Sequence, residues 1–143
     1  MKVEKIDHIH VSVKNLDKAI SLFTDLLGRK FDPVWEGGDY GIRTAYNRLG
    51  LDFIQITDRN RPTTNMIKFE GEGVCGISLK VPDADEAIAE LESRGIKMIN
   101  RVKIGQLTEV WFEATNTFGV QIELCEYPGH DIVAASADSQ PAE

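Results

Sequence analysis

The chain has 143 residues, 42% hydrophobic and 27% charged, a composition typical of one soluble globular domain. Its net charge of -7 argues against a nucleic-acid surface, which needs clustered lysine and arginine. No apolar run approaches the ~18 residues of a membrane helix and no signal-peptide pattern opens the chain, so we expect no membrane partner. Small molecules, as a substrate, or protein partners remain.

The first predicted element is a β-strand at residues 6–13, IDHIHVSV. Successive side chains of a strand point to opposite faces. One face therefore carries His8, His10 and Ser12. The other face is apolar and needs a cover, and it consists of Ile9, Val11 and Val13. Two imidazoles on one face indicate a metal site, a catalytic pair or the solvated side of an edge strand.

The chain contains an internal repeat whose first copy begins within this strand. Residues 10–31, HVSVKNLDKAISLFTDLLGRKF, align with residues 78–98, SLKVPDADEAIAELESRGIKM. Each copy predicts a strand, a short turn and an amphipathic helix that ends at a glycine, Gly28 or Gly95. In the second copy Asp83 predicts the N-cap of the helix, with a glutamate three residues later as in a capping box.

Shorter strand-like runs follow each predicted helix. Each half of the chain thus predicts a βαβββ module, at about residues 5–57 and 74–128, and residues 58–73 link the two. The expected fold class is α+β: two modules form a curved mixed sheet around a cavity, with the helices outside. Residues 1–130 are expected to form one domain, and the polar residues 131–143 a disordered tail.

The strands that close each module predict further residues facing the cavity. If Ile122 and Leu124 lie under a helix, alternation turns Glu123 toward the histidines. The same argument for Ile54 and Ile56 turns Gln55 that way. The result is a predicted metal-ligand set, His8, His10, Gln55 and Glu123. Such a set suits Co, Mn, Ni, Fe or Zn, and a metal held there could stabilise an enolate.

Two cysteines, Cys75 and Cys125, are too few for a disulfide framework or a zinc motif, which predicts a cytoplasmic protein. Several aromatic residues could line a pocket for a larger, flatter substrate. They are Trp35, Tyr40, Tyr46, Phe53, Trp111 and Phe112, and strand alternation does not decide which of them do.

The segments IDHIHVSVKNLDKAISLFTDLLG and GVQIELCEYPG resemble the vicinal oxygen chelate superfamily. This superfamily contains glyoxalases, bleomycin-resistance proteins, extradiol dioxygenases and methylmalonyl-CoA epimerases. The resemblance extends to about Gly129. The segments IDHI, IQI and IELCEYP are similar to the methylmalonyl-CoA epimerase branch.

The resemblance implies a divalent metal ion held by His8, Gln55, Glu123 and a histidine that begins the second module. This chain reads GVCGI there, and Gly76 stands where that histidine is expected. Two interpretations stay open. In one, His10 completes the ligand set; in the other, no metal binds and the two histidines act as acid, base or hydrogen-bonding groups.

The function implied is that of an isomerase, epimerase or lyase. It would act on a carbonyl or acyl-CoA compound by proton transfer through an enolate, with Glu123 and His10 as catalytic groups. Substrate contacts are expected from Arg43, Tyr46 and Trp111. The resemblance places the family's catalytic glutamate of module one near GIRTAYN, at Arg43 or a neighbour, where this chain has no acidic residue. A homodimer is also implied.

Two alternatives stay open beside that function. One is a metal-free protein that sequesters a small molecule such as a drug. The other is a metal-free isomerase or cyclase that acts on a larger aromatic or polyketide-like substrate.

Overall fold

A computed structural model of the protein describes residues 1–62, 64, 67 and 69–137. The strands are β1 (Lys5–Ser12), β2 (Trp35–Gly37), β3 (Ile42–Asn47), β4 (Leu51–Ile56), β5 (Gly73–Lys80), β6 (Met98–Ile104), β7 (Leu107–Phe112) and β8 (Gln121–Glu126). The α-helices are α1 (Leu16–Leu27), α2 (Ala84–Ser93) and α3 (Ile132–Ser136), and a 3-10 turn spans Gly38–Tyr40. Both βαβββ modules and the α+β class are confirmed. Among the described helices, none is long and apolar enough to cross a membrane.

The chain divides into two compact units. The first unit is His8–Ile77, and the second consists of Met1–Asp7 and of Ser78 onward. Within the first unit the strand order is β2-β3-β4-β1-β5, with β1 parallel to β4 and antiparallel pairing across β2, β3 and β4. Within the second unit the order is β5-β8-β7-β6. The strands that follow the helix of each module, β2 to β4 and β6 to β8, therefore lie in different units.

Helix α1 covers one face of the sheet in the first unit. Its N-cap is Asn15, whose side chain accepts from the Lys18 N–H, and it ends at Gly28, whose φ of 64° is favourable only for glycine. The core beneath it combines residues of α1, β1, β3 and β4 and contains three phenylalanines. It includes Leu16, Ala45, Phe53, Val11, Val13, Ile20, Phe23 and Phe31. Because Val11 and Val13 lie in this core, the apolar face of β1 is covered as predicted.

Helix α2 covers the sheet of the second unit in the same way. The Asp83 side chain accepts from the Glu86 N–H at 3.0 Å, which confirms the predicted N-cap. The buried core beneath α2 consists of Val81, Ala84, Ala87, Leu91, Val110, Phe112 and Leu124. Ile122 packs against this core beside Leu124, so the helix-facing residues of β8 are those that the alternation predicts.

The C-terminal segment differs from the expected disordered tail. Residues 132–136 form α3, and the Asp131 side chain caps it by accepting from the Val133 and Ala134 N–H groups. The Gln106 N–H donates to the Ala135 carbonyl at 2.8 Å, which ties α3 to the chain before β7. Residues 138–143 lie outside the described part of the chain, as do residues 63, 65, 66 and 68 of the predicted link.

Candidate functional site

The polar face of β1 is extended by its neighbours in the first unit. His10 lies opposite Asp52 on β4, and Asp52 lies opposite Tyr46 on β3. Directly opposite residues project from the same side of a sheet, so these three and His8 share the side away from α1. We call this side the histidine face. His8 is 4% exposed and His10 1%, so the histidines are not the solvated side of an edge strand.

His8, His10 and Asp52 together form a cluster with metal-ligand chemistry. One ligand atom from each lies within 4.8 Å of the others. His10 Nδ1 is 3.3 Å from Asp52 Oδ2, and the two imidazole rings meet edge-on with centroids 4.7 Å apart. The Tyr46 ring packs edge-on against His8 at 5.6 Å. Two imidazoles and a carboxylate fit a divalent transition metal and leave coordination positions open for substrate oxygens.

Gln55 does not lie on the histidine face. Leu51 and Phe53 pack under α1, rather than Ile54 and Ile56, so alternation turns Gln55 toward the helix. Its Oε1 accepts from the Leu16 N–H at 3.0 Å and satisfies one of the unpaired donors at the start of α1. The expected placement of Gln55 beside the histidines is therefore wrong.

Asp52 was missed in the sequence although the internal repeat contains its signal. Residues 51–56, LDFIQI, align with residues 122–127, IELCEY, at the end of the second module. This alignment matches Asp52 with Glu123, so each module carries one carboxylate at the same position of its closing strand. Continuing the repeat through the closing strands would therefore have selected Asp52 over Gln55.

Hydrogen bonds in the two units support this alignment, in which Gln55 matches Glu126. Glu126 Oε2 accepts from the N–H of Ala84, the first residue of α2, at 2.6 Å. Gln55 makes the corresponding bond to Leu16, the first residue of α1. Both side chains thus satisfy helix N-termini, a structural role that ordinary capping chemistry explains.

Glu123 lies in the second unit, on the side of β8 away from α2. It is fully buried, and Ser78 Oγ donates to its Oε1 at 2.7 Å. Trp111 lies opposite Glu123 on β7 and is 7% exposed. The orientation of Glu123 agrees with the strand pattern, while its roles as ligand and catalytic group stay predictions, as does the substrate contact of Trp111.

Comparison with known proteins places this chain in a family. The family profile described as Glyoxalase/Bleomycin resistance protein/Dioxygenase superfamily matches residues 7–112. The chain belongs to this superfamily. The resemblance drawn from IDHIHVSV and the repeated modules is therefore confirmed.

One relative of this superfamily member is the mitochondrial methylmalonyl-CoA epimerase of Mus musculus, which is 23% identical over 130 residues. The match covers 86% of this chain and 73% of the mouse protein. The methylmalonyl-CoA epimerase structure from Mycobacterium tuberculosis has a TM-score of 0.73 at 24% identity, covering 93% of each chain. A Streptomyces coelicolor epimerase variant in complex with 2-nitronate-propionyl-CoA has a TM-score of 0.73 at 19% identity, covering 90% of this chain and all (100%) of that one. These structures share the fold of this chain.

Arg43 lies on the α1 side of β3 in this superfamily member, not on the histidine face. Its Nε donates to Glu36 Oε2 at 2.8 Å, and one of its terminal nitrogens donates to Asp17 Oδ1 at 3.3 Å. Hydrogen bonds to these carboxylates, Glu36 first, raise the pKa of Arg43. Arg43 is thus part of an ion-pair network away from the histidine face, and its substrate contact stays a prediction. Tyr46 lies beside His8.

Both cysteines are buried, and burial raises the pKa of each thiol. Because only the thiolate attacks disulfide reagents, a raised pKa keeps Cys75 and Cys125 unreactive as pH rises through the usual range of thiols. We expect native protein at pH 8 to react with dithiobis(nitrobenzoate) at least about a hundredfold more slowly than protein in 6 M guanidinium (a reference state in which burial is lost). Absorbance of the released thiolate measures both rates. A cysteine that reacts in the native protein as fast as in guanidinium would contradict the burial argument.

Proposed function

We propose that this protein is a metal-dependent isomerase that epimerises an acyl-CoA substrate, with methylmalonyl-CoA as the first candidate. The observation that carries the proposal is the cluster that the buried His8 and His10 form with the partly buried Asp52 on the histidine face. Support comes also from the relatives, since several are named as methylmalonyl-CoA epimerases and one is in complex with an acyl-CoA analogue.

His8, His10 and Asp52 are the residues that would hold the divalent ion. When bound, such an ion supplies Lewis-acid stabilisation of the negative charge on an enolate oxygen. Tyr46 packs against His8 and restricts the orientation of its ring. Burial of both histidines removes water from around them, which strengthens electrostatic interactions at the site.

The proton transfer needs a group that is not engaged as a ligand. An imidazole nitrogen that coordinates a metal cannot also accept a proton, so the assignment of His10 as ligand removes it as base at that nitrogen. We therefore assign removal of the proton next to the thioester to Glu123, as the resemblance implies, and Ser78 holds one of its oxygens. A solvent water molecule that enters with the substrate would return a proton to the opposite face of the enolate and complete the inversion. Glu123→Gln is expected to lower the rate at least about a hundredfold, within the range that general acid–base catalysis contributes.

Solvent exchange tests the reaction directly. Methylmalonyl-CoA is incubated in deuterium oxide with the protein and Co2+, and mass spectrometry measures incorporation of one deuteron next to the thioester. We expect incorporation that EDTA removes and that His8→Ala and His10→Ala each lower at least about a hundredfold. The matched control is His130→Ala, because His130 is exposed and lies in the other unit. Absence of incorporation with Co2+, Mn2+ and Zn2+ would contradict the proposal.

A metal-free isomerase is the second candidate, and the His10–Asp52 pair favours it. A carboxylate 3.3 Å from an imidazole nitrogen can fix the tautomer and orientation of a histidine that acts as general base. Exchange that survives EDTA but is lost in His10→Ala would select this candidate. Tight binding of a small molecule without any exchange would instead favour the sequestering function.

A further inference from the structure

Two large aromatic side chains are half exposed at the edge of the first unit's sheet. Trp35 on the edge strand β2 is 46% exposed, and Tyr40 in the following 3-10 turn is 50% exposed. Their rings pack together with centroids 5.5 Å apart and planes inclined by 34°. They form an aromatic surface, which we call the Trp35–Tyr40 platform. Neither ring serves the core beneath α1.

The strand register places Trp35 on the histidine face. Trp35 lies opposite Thr44, and Thr44 lies opposite Ile54. Ile54 in turn lies opposite Ser12, which is two residues after His10 on β1. The four residues form one row across β2, β3, β4 and β1, and the neighbouring row contains Asp52. Two strand spacings and one row separate the Cα atoms of Trp35 and Asp52, a distance of about 12 Å. One extended ligand can therefore reach both the platform and the histidine cluster.

Gly37 allows the Trp35 ring to lie over the backbone. A Cβ added at Gly37 would be 2.3 Å from Trp35 Cζ3, far inside van der Waals contact. The next residue, Gly38, is different: a Cβ there would meet no atom within 4 Å. The orientation of the Trp35 ring thus requires a residue without a side chain at position 37, whereas position 38 has room for a methyl group.

We propose that the Trp35–Tyr40 platform stacks the adenine ring of an acyl-CoA, an inference that rests on the proposed function. A purine is flat and uncharged at neutral pH, so it gains stacking energy without conflict with the carboxylate of Asp39, which precedes Tyr40 in sequence. Its amino group is a donor and carboxylates are acceptors, which favours adenine here. The negative charge of Asp39 disfavours the phosphate groups of the ligand directly beside the platform.

Tryptophan fluorescence tests the platform without any turnover. The protein has two tryptophans, and Trp111 is 7% exposed, so quenching by an added ligand reports mainly on Trp35. We expect saturable quenching by coenzyme A and by adenosine, none by pantetheine, and loss of the signal in Trp35→Phe. Saturable quenching by an aromatic ketone such as 2-acetylnaphthalene, with none by adenosine, would overturn the purine assignment. Absence of quenching by all of these probes would overturn the platform as a binding site.

Glycine variants give a matched pair for the same assay. Gly37→Ala should displace the Trp35 ring and weaken coenzyme A binding about tenfold, whereas Gly38→Ala should leave it unchanged. Tyr40→Ala should weaken binding to a similar degree, and far-UV circular dichroism checks that each variant folds. Equal affinities for Gly37→Ala and Gly38→Ala would contradict the proposal.

The failure of this inference is distinguishable from the failure of the proposed function. Quenching by adenosine without deuterium exchange would support the platform as a binding site and contradict the proposed reaction. Equal exchange rates at low concentrations of methylmalonyl-CoA and methylmalonyl-pantetheine would keep the reaction and overturn the platform.

Discussion

Asp52→Asn is expected to weaken Co2+ binding by roughly a hundredfold or more and to remove the metal-dependent exchange with it. Asp52 is the one carboxylate in the cluster with His8 and His10. Its replacement leaves two neutral imidazoles and an amide, which attract a divalent cation far less than an anionic oxygen does. Changes to groups that only orient metal ligands typically cost 10- to 100-fold in affinity, so loss of a ligand itself should reach at least the upper part of that range.

Two variants make the Asp52 experiment specific. Asp25→Asn removes the same charge from an exposed position on α1 and should leave Co2+ affinity unchanged. Gln55→Ala removes the side chain that bonds the Leu16 N–H and should also retain metal, at a cost to stability of about 1 kcal/mol from the lost helix contact. Calorimetric titration with Co2+ measures all three affinities. Loss of metal in Gln55→Ala with retention in Asp52→Asn would restore the ligand set expected from the sequence and contradict the proposed set of His8, His10 and Asp52.

The sequence predicted those features of the fold that depend on short-range chemistry. The Asp83 cap, the glycine that ends α1 and the alternation of β1 are all local patterns, and each appears as expected. The internal repeat then carried the same assignments from one module to the other. This was sufficient for the α+β class, for both modules, and for the side of β1 on which His8 and His10 lie.

The closing strand of module one could not be oriented from its own residues. β4 has apolar side chains on both faces, with Phe53 under α1 and Ile54, 3% exposed, on the histidine face. Alternation is informative only where one face is polar, so the pattern fitted either orientation. The wrong choice placed Gln55 at the site and concealed Asp52. Arg43 was misplaced for a related reason, since its acidic partners on α1 and β2 are distant in sequence.

Phe53→Ala is expected to destabilise the protein by about 3–5 kcal/mol, the range for loss of a large aromatic side chain from a packed core. Phe53 is fully buried, and its ring packs against Phe23 at 4.9 Å and against Phe31 at 5.0 Å between centroids. Removing it leaves a cavity between α1 and β4 that the sheet cannot close without moving both elements. Urea unfolding followed by circular dichroism measures the free energy of unfolding, and a loss below about 1 kcal/mol would contradict this packing.

Adjacent residues of β4 thus separate stability from metal binding. Phe53 points toward α1 and Asp52 toward the histidines, so each substitution should affect one property. Phe53→Leu, a milder change for use if Phe53→Ala does not fold, should lower the free energy of unfolding by about 1 kcal/mol or more and retain Co2+ affinity. Asp52→Asn should lose Co2+ affinity and change the metal-free unfolding free energy by less than about 1 kcal/mol. Loss of both properties in both variants would mean that the two faces of β4 are coupled, and that the histidine cluster depends on the core beneath α1 for its geometry.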